Sequence, residues 1–67
     1  MNAKVIEITY DIYTNSWIVA PLDEKGFQVD EYEYVATKKE AMAIAEQMAH
    51  EHNAEIHKYT KTGKLQK

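Results

Sequence analysis

The chain has 67 residues, a net charge of −3 at pH 7, and neither cysteine nor arginine. A chain of this length forms one domain with a small core, and without cysteine it has no disulfides and no thiolate metal sites. An acidic chain that lacks guanidinium groups for phosphates and base edges is a poor nucleic-acid binder on electrostatic grounds.

The sequence shows no targeting or membrane-spanning pattern. The first four residues lead directly into a strand pattern without the apolar region of a signal peptide. No apolar run approaches the roughly 20 residues of a membrane helix. We therefore expect a cytoplasmic protein. Its charge is uneven: residues 1–34 carry two lysines and seven carboxylates, whereas residues 35–67 carry six lysines and four carboxylates.

The first two predicted elements form a β-hairpin. Apolar and polar residues alternate over residues 6–12, which is typical of a half-buried strand, and residues 17–20 form a second, wholly apolar strand. We expect Asn15 and Ser16 to form a two-residue loop, so that Thr14 pairs with Trp17 and residue 12 pairs with residue 19. This register places Trp17 in the core with the even-numbered residues of the first strand, rather than on the surface as a stacking platform.

The rest of the chain predicts a third strand, a helix and one or two short strands. A turn at residues 23–26 precedes the third strand, whose apolar parity changes near Asp30-Glu31 and indicates a bulge or a bend there. Thr37 and Glu40 predict a capping box, an apolar stripe over residues 41–49 predicts an amphipathic helix, and Asn53 fits a left-handed C-cap. Strands are expected at residues 54–59 and 64–66. We predict a single α+β domain over residues 1–67, with an antiparallel β-sheet of three to five strands and one α-helix on one face, in β-β-β-α-β order.

Several short motifs, taken in order, resemble those of a small bacterial domain family of unknown function, the one numbered 2188. The motifs are Trp17-Ile18-Val19, Thr37-Lys38-Lys39-Glu40-Ala41, Glu55-Ile56 and Gly63-Lys64-Leu65. From Thr37 to Leu65 the spacing is similar to that of the family without gaps, whereas Ser16 stands where the family usually has glycine. The resemblance implies a sheet packed on one helix, and it implies no activity.

The outer face of the hairpin is the leading candidate site. The expected register pairs Tyr13 with Ile18 and brings Ala20 and Leu22 onto the same face, opposite the helix, where sheets that face water are usually polar. Such an apolar patch favours a partner or a second copy, although cross-strand pairs also stabilise hairpins without any partner. Our leading hypothesis is a non-enzymatic protein-interaction module that self-associates through Tyr13, Ile18, Ala20 and Leu22.

The alternative hypothesis is a weak nucleic-acid-binding accessory module. Lys58, Lys61 and Lys64 form a basic cluster near the C-terminus, with Tyr59 beside it. Lysines and an aromatic ring are suited to a nucleic-acid backbone and its bases. The same lysines also fit a solvated edge strand, because lysine protects sheet edges against further pairing.

The histidines and carboxylates do not form a recognisable metal or catalytic motif. His50 and His52 are two residues apart and point away from each other on a helix, whereas zinc motifs space helical histidines three to five apart. Glu46 and His50 are spaced for an acid–base pair, but no nucleophile or oxyanion donor accompanies them. We therefore expect no metal, no cofactor and no enzymatic activity.

Overall fold

The computed structural model describes residues 2–66, which form five strands and one helix. The elements in chain order are β1 (Val5–Asp11), β2 (Ser16–Leu22), β3 (Glu33–Val35), α1 (Lys38–His52), β4 (Glu55–Tyr59) and β5 (Leu65–Gln66). The strands form one sheet in the order β3-β2-β1-β4-β5, and α1 packs on one face of it. The predicted α+β class and element order are confirmed.

The sheet is mixed rather than antiparallel, which corrects the sequence prediction. β1 and β4 run parallel, with Ile6 aligned with Ile56, while the other neighbouring strands are antiparallel. The reason lies in the connection through α1, because a helical crossover returns the chain in the direction of the preceding strand. β3 has the same direction as β1, so β4 enters beside β1 in parallel.

The hairpin register differs from the predicted one by four residues. Trp17 pairs with Tyr10 and not with Thr14, so the loop comprises residues 12–15 instead of two residues. The loop begins early because the Asp11 carboxylate accepts a hydrogen bond from the backbone N–H of Tyr13 at 2.9 Å. An even shift preserves the faces of both strands. Ile12, predicted in the core, lies in the loop and is 64% exposed.

The core lies between α1 and the sheet face that we call the inner face. Its buried apolar side chains are Ala3, Ile6, Ile8, Trp17, Val19, Ala41 and Ala45. Ala41 and Ala45 are the fully buried residues of α1, and their small side chains bring the helix backbone close to β1 and β2. Within residues 2–66 no helix is long and apolar enough to cross a membrane.

Of the predicted bulge or bend near Asp30, the structure has the bend, in a segment that does not belong to a strand. Gln28 bridges to Leu22, and Tyr34 pairs with Ile18. Three residues lie between Ile18 and Leu22 on β2, whereas five lie between Gln28 and Tyr34. The segment 29–33 therefore contains two more residues than the part of β2 that it faces. Regular pairing therefore resumes only at β3, which makes the third strand much shorter than expected.

Thr37 and Asn53 cap α1 as predicted, but the Glu40 carboxylate contacts the Thr37 hydroxyl rather than its backbone N–H, so the predicted capping box is incomplete. The Thr37 hydroxyl accepts a hydrogen bond from the backbone N–H of Glu40 at 3.2 Å and lies 3.0 Å from the Glu40 carboxylate. At the other end, Asn53 has φ 54° and ψ 49°, and its N–H bonds to the carbonyl of Ala49. These caps fix where α1 begins and ends on the sheet.

Candidate interaction surfaces

The sheet face opposite α1 carries an apolar patch, which we call the outer patch. Its members, which the strand registers place on this face, are Val5, Ile18, Ala20, Leu22 and Tyr34. Tyr34 is 49% exposed, and the other four are partly exposed. α1 packs on the inner face, so no helix of residues 2–66 covers the outer patch.

The predicted interface residues do not all belong to this patch. Ile18, Ala20 and Leu22 lie on the outer face as expected, because the four-residue shift leaves the alternation unchanged. Tyr13 does not pair with Ile18; it lies in the β1–β2 loop and is 92% exposed. Thr9 takes its place beside Ile18, and Val5 pairs with Leu22.

Polar groups border the outer patch on its β1 and β4 side. Glu7 pairs with Ala20 and aligns with His57 on β4. His57 Nε2 lies 3.4 Å from the Glu55 carboxylate. The part of the face on β2 and β3 carries no ionisable group other than tyrosine. A hydrogen bond with Tyr32 raises the pKa of Tyr34, with smaller contributions from burial and the Asp11 carboxylate.

An aromatic pair with a lysine on each ring lies at one end of the inner face. The rings of Tyr10 and Trp17 meet edge to face, with centroids 5.0 Å apart. Lys38 Nζ lies 5.3 Å from the Trp17 centroid, and Lys61 Nζ lies 4.8 Å from the Tyr10 centroid. Both separations are within the range of a cation–π interaction.

The three predicted lysines lie at the same end of the sheet as Lys38. Lys58 pairs with Gln66 across β4 and β5, and the Lys38 ammonium donates a hydrogen bond to the Gln66 side-chain oxygen. Lys64 is held to the same turn because its backbone N–H bonds to the Thr60 hydroxyl. We call this group the lysine corner; it comprises Lys38, Lys58, Lys61 and Lys64. No sequence pattern indicates that Lys38 belongs to it, because its contact with Gln66 spans 28 residues.

An open groove of about 510 Å³ lies beside the lysine corner. It is lined by Glu7, Thr9, Tyr10, Ile12, Tyr59, Thr60, Lys61, Thr62 and Gly63. The groove forms because regular pairing of β1 with β4 ends at Ile8 and Lys58, while β1 continues to Asp11. The β1 edge beyond Ile8 therefore faces the turn that joins β4 and β5.

The histidines lie apart and have separate contacts. His52 Nδ1 accepts a hydrogen bond from the backbone N–H of Ala3 at 3.0 Å, which ties the N-terminal segment to the end of α1. His50 is exposed in the last turn of α1, and His57 lies on β4. Among residues 2–66, no cluster of three or more histidine and carboxylate side chains has the arrangement of a metal site.

Comparisons with known proteins find no match for this chain: no family model, no curated protein and no solved structure. The resemblance to the family numbered 2188 therefore stays a prediction from the motifs. The two candidate surfaces of the chain are the outer patch and the lysine corner.

Proposed function

We propose that this protein is a cytoplasmic, non-enzymatic protein-interaction module that self-associates through its outer patch. The observation that carries the proposal is the apolar row Ile18, Ala20 and Leu22 on a sheet face opposite the helix. Sheets with one solvated face usually alternate apolar and polar residues, whereas β2 is apolar on both faces.

The dimensions of the outer face fit a second copy of the chain. The strands of this face have seven, seven, five, three and two residues. At about 3.3 Å per residue and about 4.8 Å between strands, they cover about 380 Å² per copy. Two such faces in contact bury on the order of 800 Å² in total, which corresponds to a weak, reversible dimer. A two-fold dimer uses the same surface on both copies, and aligned packing of two sheets provides that geometry.

Charge predicts how this association responds to salt. Each copy carries a net charge of −3, and Glu7 and Asp11 lie on the outer face. Two copies therefore repel each other at long range, and added salt screens that repulsion. Because the contact itself is apolar, we expect dimerisation to strengthen between 20 and 300 mM salt.

Sedimentation equilibrium over a hundredfold range of protein concentration tests the proposal. We expect a monomer–dimer equilibrium that shifts toward the dimer as salt increases. A monomer at every concentration and salt would contradict self-association. A dimer that dissociates as salt increases would instead indicate an interface held by charge, and would rule out the outer patch as its main contact.

A further inference from the structure

We propose that the lysine corner and the adjoining groove bind single-stranded nucleic acid, with lysines on the phosphates and the Tyr10 ring under a base. The lysine corner lies on the inner-face side of the sheet end, whereas the groove extends to Glu7 and Thr9 beside the outer patch. The proposal depends on the lysines and on the Tyr10 ring, and its test does not require the dimer.

The first argument is the concentration of unneutralised positive charge. Lys38, Lys58 and Lys61 are connected through Trp17, Tyr10 and Gln66, and Lys64 follows in the same turn. Within residues 2–66 the ion pair within 4.0 Å is that of His57 with Glu55, so none of the four lysines is paired with a carboxylate. The N-terminus of α1, the positive end of its dipole, begins at Lys38 in the same corner.

The nearby carboxylates leave the corner basic. Glu40, in the first turn of α1, is engaged by the Thr37 hydroxyl at 3.0 Å. Glu7 lines the groove from the outer-face side of β1. Asp11 at the end of β1 is a third carboxylate, which accepts a hydrogen bond from the backbone N–H of Tyr13. Four ammonium groups against these three carboxylates leave a small local positive charge on a chain that is acidic elsewhere. Such a local patch attracts phosphates at short range even when the whole chain is anionic.

Second, two lysines of the corner, Lys38 and Lys61, each lie over an aromatic ring. Lys61 Nζ lies over the Tyr10 ring at 4.8 Å and occupies the position that a stacked base would take. A phosphate draws the ammonium away from the ring, because a charge-assisted contact is stronger than an exposed cation–π interaction. The released ring face then accepts a base, in the stacking contact that other single-strand binders use.

The third argument is the shape and lining of the groove. The groove has a volume of about 510 Å³ and is open to solvent, so it can admit a segment of an extended strand but does not enclose it. Thr9, Thr60 and Thr62 contribute hydroxyl groups, and those of Thr60 and Thr62 lie 2.9 Å apart. These groups suit phosphate and sugar oxygens. A groove at a sheet end admits an unpaired base, whereas a duplex offers only its backbone to such a surface, so we expect preference for single strands.

Fluorescence anisotropy of a labelled 12-residue oligothymidylate at 20 mM salt tests the proposal. We expect binding whose logarithmic affinity falls with the logarithm of salt, with a slope of about −3 at most, since four phosphate contacts each contribute about −0.7. Trp17, the single tryptophan of the chain, reports the same event by a change in emission, because it contacts both Tyr10 and Lys38.

Two charge reversals provide a matched comparison. Lys61→Glu and Lys25→Glu change the net charge equally, but Lys25 lies in the turn after β2, at the opposite end of the strands. We expect Lys61→Glu to weaken binding at least tenfold and Lys25→Glu to change it less than threefold. Lys64→Glu replaces Lys61→Glu if thermal melting shows that the latter is unfolded.

The following results would overturn the proposal. The first is no anisotropy change at 20 mM salt, and the second is equal loss in Lys61→Glu and Lys25→Glu. A third is tighter binding of a 12-base-pair duplex than of the single strand. A fourth is competition by polyglutamate as effective as that by unlabelled oligothymidylate, which would indicate a general polyanion surface.

Discussion

Tyr10 and Trp17 lie directly opposite each other on β1 and β2, and their rings meet edge to face at a centroid distance of 5.0 Å. Aromatic pairs in this geometry contribute about 0.5–1.5 kcal/mol beyond the burial of their surface. The pair sets the hairpin register, since the alternative pairing of Trp17 with Thr14 forgoes the aromatic contact. It also connects the core to the lysine corner.

The register predicts that replacing isoleucine by alanine strongly destabilises the fold at Ile8 and hardly affects it at Ile12. Ile8 is fully buried against Val19, whereas Ile12 is 64% exposed in the loop. We expect Ile8→Ala to lower the free energy of unfolding by about 2–5 kcal/mol, as core truncations do. Ile12→Ala should change it by less than about 0.5 kcal/mol, as surface substitutions do. Urea denaturation measures both, and equal losses would favour the two-residue loop.

The alternation of β1 could be predicted from the sequence, but the register of its pairing with β2 could not. Period-two patterning identifies which residues share a face, and an even shift leaves those faces unchanged. Ile18, Ala20 and Leu22 were therefore placed correctly, while Tyr13 and Ile12 were not. The loop length depends on the Asp11 side chain bonding to the backbone of Tyr13, a local competition that the apolar pattern does not contain.

Tertiary structure determines the direction of β4. It also brings Lys38 into the lysine corner. The helix start at Thr37 was evident from the capping pattern, yet that pattern does not say on which side of β1 the next strand enters. Only the packing of α1 across the sheet brings Lys38 to Trp17 and Gln66. Contacts this distant in sequence leave no periodic signal in a single chain.

The N-cap predicts a measurable loss of stability. Thr37→Ala removes the oxygen that accepts the Glu40 N–H at 3.2 Å, and we expect it to lower the free energy of unfolding by about 1 kcal/mol. Thr14→Ala, an exposed loop substitution with the same change in side chain, serves as the control. Thermal melting that gives the same small change for both variants would rule out a role for the cap.

The C-cap predicts a difference between two substitutions at one residue. Asn53 adopts the left-handed conformation, which glycine tolerates freely and alanine does not. We expect Asn53→Ala to lower the free energy of unfolding by about 1 kcal/mol and Asn53→Gly to change it by only a few tenths. Urea denaturation measures the free energy of unfolding of both variants. A larger loss of stability in Asn53→Gly than in Asn53→Ala would contradict the role of the left-handed C-cap.

The central claim is that the outer patch is an interface between copies of the chain, and a matched pair of lysine substitutions tests it. Ile18→Lys places a charge in the middle of the patch, whereas Tyr13→Lys adds the same charge in the exposed loop. Sedimentation equilibrium should be measured at a concentration where the wild-type chain is dimeric. The account predicts a folded monomer for Ile18→Lys and an unchanged dimer for Tyr13→Lys. A dimer that survives Ile18→Lys would contradict it.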